Sequence, residues 1–138
     1  MWYANLLSTG TYVLFAVVSL IMIMIAHSLR DKKKDEKRWN ALSWWVILFP
    51  LIGLIAIVSM LMYVGFDTPR KELYFTTLGF VTIHFVLMMI EYFNRFVDNN
   101  GNAKGTYISA LVLYSITFLV QIGLLFVSSN DNEDSLGF

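Results

Sequence analysis

The chain has no cysteine, which excludes disulfides, thiolate metal sites and thiol-based redox chemistry. Proline is nearly absent, with Pro50 and Pro69 the only two in 138 residues. Charge is scarce as well. Only 14% of the residues are Asp, Glu, Lys or Arg, and they sum to zero, so net charge indicates no partner class. Residues 1–29 contain neither Lys nor Arg and so lack the basic start of a cleavable signal peptide. The first apolar run also exceeds the roughly 7–15 residues of a signal-peptide core, so this segment is expected to stay in the mature protein.

What the chain does have is apolar surface. Hydrophobic residues make up 57% of it and the mean hydropathy is +0.63, too apolar for a soluble domain of this length. Nearly charge-free runs cover 6–29, 41–66, 73–90 and 106–129. Each meets the roughly 20 residues that a helix needs to cross a hydrocarbon core. None alternates in the ~10-residue pattern of a transmembrane β-barrel. The expected fold is an all-α integral membrane protein, a single domain over 1–138. Four transmembrane helices, at about 6–29, 41–66, 73–97 and 106–129, form an up-down antiparallel bundle.

The connecting segments give an orientation. Arg30, Lys32, Lys33, Lys34, Lys37 and Arg38 hold six of the ten basic residues in one short loop. They read as a cytoplasmic anchor that also contacts anionic lipid headgroups. The loop is too short, too neutralised and too poor in interleaved aromatics for nucleic acid. With Arg95 and Lys104, eight basic residues flank one side, against Arg70 and Lys71 on the other. Loops 30–40 and 98–105 are therefore expected in the cytoplasm and both termini outside, with the plasma membrane as location. Asp67 and Pro69 supply turn chemistry in 66–72, the Asn- and Gly-rich 98–105 reads as a loop, and the acidic tail 130–138 as a mobile end.

Asn5, Ser8 and Thr9 are candidate N-caps for the first helix, and His27, at its end, reads as a water-accessible interfacial histidine. Pro50 removes a backbone hydrogen bond within the second helix and is expected to kink it. Gly53, Ala56 and Ser59 nearby offer a close approach to a neighbouring helix.

The third run carries the main polar signal. Thr77, His84 and Glu91 are spaced by seven and share one helix face. Arg95 follows Glu91 by four, the spacing of an intrahelical ion pair. The fourth run has its own seven-residue series, Tyr107, Tyr114 and Gln121, continued by Ser128. A hairpin folded about residue 101 puts Tyr107 and Tyr114 beside Glu91, and Tyr114 and Gln121 beside His84. Such a seam satisfies hydrogen bonds that lipid cannot offer, at about 0.6 kcal/mol per contact.

Catalytic and metal signatures are missing from the sequence. There is no Ser–His–acid pattern, HExxH, phosphate-binding Gly loop or paired carboxylate. His27 and His84 fall at different depths for a bis-His haem site. Met22 and Met24, like Met60 and Met62, point in different directions, which fits gap-filling better than thioether ligation. The expectation is a non-enzymatic chain without a cofactor. It would be an accessory or structural subunit of a larger membrane complex, such as a respiratory or oxidative enzyme with its cofactors in other subunits. Its partners would be other integral membrane chains and lipid. The alternative is a small homo-oligomeric channel, or a proton- or cation-coupled transporter, using His84 and Glu91.

Overall fold

The computed structural model describes residues 3–32, 34 and 36–135, with side chains as far as Ser128. It consists of four long helices: α1 (Ala4–Leu29), α2 (Ala41–Val64), α3 (Lys71–Glu91) and α4 (Gly101–Ser135). A π-helical turn, Tyr92–Phe96, extends α3. The spans Ala4–Leu29, Ala41–Val64, Lys71–Phe96 and Gly101–Ser128 are each long and apolar enough to cross a membrane. At about 1.5 Å per residue, even the shortest exceeds the ~30 Å hydrocarbon core.

The helix ends follow local chemistry. Asn40 caps α2, its side chain accepting from the Ser43 backbone N–H at 2.8 Å, and Asn100 caps α4 through the Ala103 N–H at 2.9 Å. The Asn/Gly-rich 98–105 is therefore only half loop, because its second half is the first turn of α4. Gly65 ends α2 with φ +80, which side-chain-bearing residues rarely adopt. The backbone of α4 runs on to Ser135, beyond the expected end at 129, and residues 136–138 lie outside the described residues. None of Asn5, Ser8 and Thr9 caps α1, which starts ahead of them after Tyr3.

Asn5 instead ties down the far end of the chain. Its amide donates to the carbonyls of Gly65 and Thr68, each at 2.8 Å. Its carbonyl oxygen accepts from the Arg70 N–H and the Tyr74 hydroxyl. One buried side chain thus closes the whole α2–α3 turn. At the opposite end, Asn99 exchanges two hydrogen bonds with the backbone of Asp31, and Asn100 reaches the Leu29 carbonyl. The 30–40 loop and the α3–α4 connection therefore share one end of the molecule.

α1 and α4 share the most extensive interface, with Ser8 bonded to Gln121 and Ser19 to the Ala110 carbonyl at 3.3 Å. The buried face of α1 is rich in small residues, Ala4, Ser8, Ala16, Ser19 and Ala26, which let backbones come close. On α2 only Gly53 serves that purpose. An added Cβ there would run into the Tyr12 hydroxyl and lie 3.1 Å from the Phe80 ring. Ala56 is half-buried and Ser59 exposed. Among the described residues α2 touches α1 and α3 but not α4, and it leaves the most apolar surface open, with Ile55 71% and Met62 73% exposed.

Candidate functional site: a buried acid–base cluster at the loop end

Four helices bring one side chain each to the interior at the end of the bundle nearest the 30–40 loop. Glu91 closes α3, His27 lies in the last turn of α1, Tyr107 in the second turn of α4, and Ser43 in the first turn of α2. All four are 0% exposed. His27 Nε2 lies 3.2 Å from Glu91 Oε1, and the Tyr107 hydroxyl donates to the same oxygen at 2.8 Å. Ser43 sits beside the carboxylate, whose Oε2 has no hydrogen-bond partner. The His27 ring is stacked against Trp39 at 4.4 Å and meets the edge of Phe96 at 5.1 Å. A lone charge buried this way would be costly, whereas an imidazole and a carboxylate sharing one proton stay neutral as a pair.

Above this pair is a layer of guanidinium groups. Arg95 donates to Ser43 Oγ at 2.5 Å, to the Lys37 carbonyl and, at 3.1 Å, to Glu36. Arg30 also pairs with Glu36, and Arg38 reaches back to the carbonyls of His27 and Arg30. Partial burial alone would raise the Glu36 carboxyl. The hydrogen bonds and charges of Arg30 and Arg95 outweigh that and hold it below its ordinary value.

The structure departs from the sequence expectations at several of these positions. Arg95 does not pair with Glu91. The π turn puts one extra residue into the helix between them, with the Val97 N–H bonded to the Tyr92 carbonyl, and swings Arg95 toward the loop. His27 is not at a wet interface but sealed under Trp39. Of the proposed headgroup contacts, Lys32, Lys34 and Lys37 are exposed, while Arg30 is buried and Arg38 half-buried. Lys33 lies outside the described residues.

Thr77 is buried but bonds its own helix, donating to the Leu73 carbonyl. Tyr107 is beside Glu91, but Tyr114 is not. Tyr114 meets the His84 ring edge-on at 4.8 Å, and its hydroxyl lies next to that of Tyr12 without hydrogen-bonding geometry. Gln121 turns to Ser8 and Thr117 rather than to His84. His84 Nε2 lies 2.8 Å from the Val46 carbonyl. Pro50, four residues after Val46, has no N–H to give that carbonyl, and the helix assignment of α2 is unbroken across it.

Sequence reasoning on α3 and α4 alone missed His27, Ser43, Tyr12 and Glu36. On α1, Asn5, Ser8, Tyr12, Ala16 and Ser19 recur at steps of three or four, and the same series continues through Ile23 to His27. That pattern marks an inward face ending on the histidine.

Between the Glu91 and His84 levels, about 10 Å apart along α3, the inward side chain is Met88, which is fully buried. Among the described residues, no three His, Cys, Asp or Glu side chains come together as metal ligands. The chain matches no family model, no curated protein and no solved structure.

Proposed function

We propose that the chain is a four-helix membrane subunit, inserted as an up-down antiparallel bundle. It works by packing against other integral membrane chains and lipid, in an assembly whose cofactors and chemistry reside in other chains. The membrane is taken to be the plasma membrane, and the loop charges favour loops 30–40 and 98–105 in the cytoplasm with both termini outside.

The observation that carries the proposal is where the helix glycines face. Gly10, Gly79 and Gly123 have open space where a Cβ would go, although glycine inside a helix costs about 1 kcal/mol against alanine. Among the described residues nothing uses that space. Gly10 lines a groove of about 400 Å³ with Leu6, Leu7, Leu14 and Phe15 on the outer face of α1. In lipid, apolar area alone does not drive association, and close approach at small residues does. Outward glycines therefore fit a helix supplied by another chain.

Extraction in mild detergent followed by native mass spectrometry tests this. The chain should migrate with other membrane subunits in fixed stoichiometry, and Gly10→Leu should release it without unfolding it. Recovery of a lone monomer, or of copies of this chain only, would sink the proposal.

One observation favours a second role, a proton or cation path. The His27–Glu91 pair and the His84, Tyr114 and Tyr12 group lie along the same interior, as proton relays do. Flux through vesicles containing the purified chain alone, lost in Glu91→Gln, would support it.

A further inference from the structure

Arg30 is the most deeply buried cation among the described residues, at 3% exposed. Only its Nη1 is used, on Glu36. Nε and Nη2, the side-on fork of the guanidinium, have no hydrogen-bond partner. The guanidinium carbon lies over the Phe96 ring, 5.9 Å from its centroid, and that contact gives neither nitrogen a conventional hydrogen-bond acceptor. Arg30 and Arg95 line a cavity of about 50 Å³ together with Glu36, Asn94 and Asp98. Glu36 lies between the two arginines and is 27% exposed, so water reaches the site from the loop side. Asp98 is exposed to solvent, which screens its charge.

Two guanidinium groups converge on one carboxylate oxygen, Glu36 Oε1, and the fork of Arg30 beside it is left unengaged by that anion. A carboxylate offers two oxygens. A phosphomonoester offers three, with close to two charges, and matches arginine forks bidentately. We propose that Arg30 and Arg95 form a phosphomonoester-binding site in which Glu36 is the chain's own placeholder, displaced when the ligand arrives. Trp39 and Trp44 stand at the same end of the bundle, at the headgroup level of an inserted bundle. The site depends on membrane placement but not on partner packing. A chain found to be a lone monomer could still bind phosphate.

The test uses the purified full chain in phosphatidylcholine nanodiscs, doped with phosphatidic acid or phosphatidylglycerol, with retained lipid counted by native mass spectrometry. Phosphatidic acid, a monoester, should be retained over the phosphatidylglycerol diester by roughly tenfold, the scale of one charge-assisted hydrogen bond. Glu36→Gln should increase that retention, because it removes the competitor. Asp31→Asn, an identical charge change on the same loop, should not. Arg30→Gln should abolish the preference.

A parallel titration with inorganic phosphate in undoped nanodiscs separates the sources. If inorganic phosphate binds with the same Glu36→Gln gain and lipid shows no preference, the ligand is a free phosphate and the site stands. Equal gains from Glu36→Gln and Asp31→Asn, no gain from either, or a preference that survives Arg30→Gln would overturn it. The gain in Glu36→Gln cannot come from misfolding, so failure of the arginine variant to fold leaves the test decisive.

Discussion

His84 caps the carbonyl of Val46, the group that Pro50 leaves without its helical partner. A proline that costs α2 a backbone bond thus meets, across the interface, a buried histidine whose Nε2 needs a partner, while its Nδ1 stays without one. His84→Leu should destabilise the bundle by about 1–3 kcal/mol, the cost of an orphaned buried carbonyl. In a Pro50→Ala background the N–H returns, and the same change should cost clearly less. Equilibrium unfolding of the four variants of this cycle checks it, and equal losses in both backgrounds would refute the pairing.

Removing one partner of the buried His27–Glu91 contact strands the other without its polar neighbour, at a cost of about 1–3 kcal/mol or more. His27→Leu should therefore weaken the fold strongly, and so should Glu91→Leu. The double variant should recover much of the loss, since replacing both partners of a buried polar contact by apolar groups is often nearly neutral. Additive losses in a thermal unfolding assay would mean that the two side chains act independently.

Gly53→Ala places a methyl group against the Tyr12 hydroxyl. Overpacking of this kind typically costs about 1–3 kcal/mol. Tyr12→Phe removes the obstructing oxygen, so Gly53→Ala should be better tolerated in that background. The unfolding midpoints of the single and double variants decide the matter.

Glu36 titrates in the folded chain below its ordinary value of 4.5. A depressed carboxylate contributes stability above its unfolded value and loses it as the pH falls through the folded one. Wild type should therefore lose stability on acidification below about 4.5, starting from the unfolded-state value. Glu36→Gln should show a shallower decline in that window. Parallel slopes for the two chains would remove Glu36 from the acid response.

The absence of cysteine makes topology directly measurable. Lys34→Cys and Asp67→Cys lie at opposite ends of the bundle and should label from opposite sides of sealed vesicles, Lys34→Cys from the cytoplasm. Labelling of both from one side would exclude the inserted bundle.

The helices were readable from the sequence because twenty-odd apolar residues between charged clusters leave few alternatives. The inward face of α3 was readable as well, since Thr77, His84 and Glu91 share one heptad position and all three are buried. What their side chains touch was not. Seven-residue spacing gives direction but not partner, and the partner of Glu91 came from α1, a helix without a charged residue in its span. Arg95 was misjudged because a π turn is a local insertion that no composition signals. The guanidinium layer was read as a headgroup contact because loop charge is ordinarily solvated. Here Trp39 folds over His27, and Arg30 and Arg38 fold in after it.

α2 also carries a ruler. Trp44 and Trp45 stand exposed near one end and Tyr63, 91% exposed, near the other. The interval from Trp44 to Tyr63 is about 28 Å at helical rise, and such aromatics prefer the two faces of the hydrocarbon layer. In the proposed inserted bundle, α2 lies on the margin with its outer face toward lipid, so bilayer thickness would act on it first. In a thicker, sterol-rich membrane the lipids beside α2 must thin, at a fraction of a kcal/mol for each ångström. Summed over every copy of the proposed inserted bundle, that cost would favour membranes whose hydrocarbon layer is close to this interval, independently of any partner it meets there.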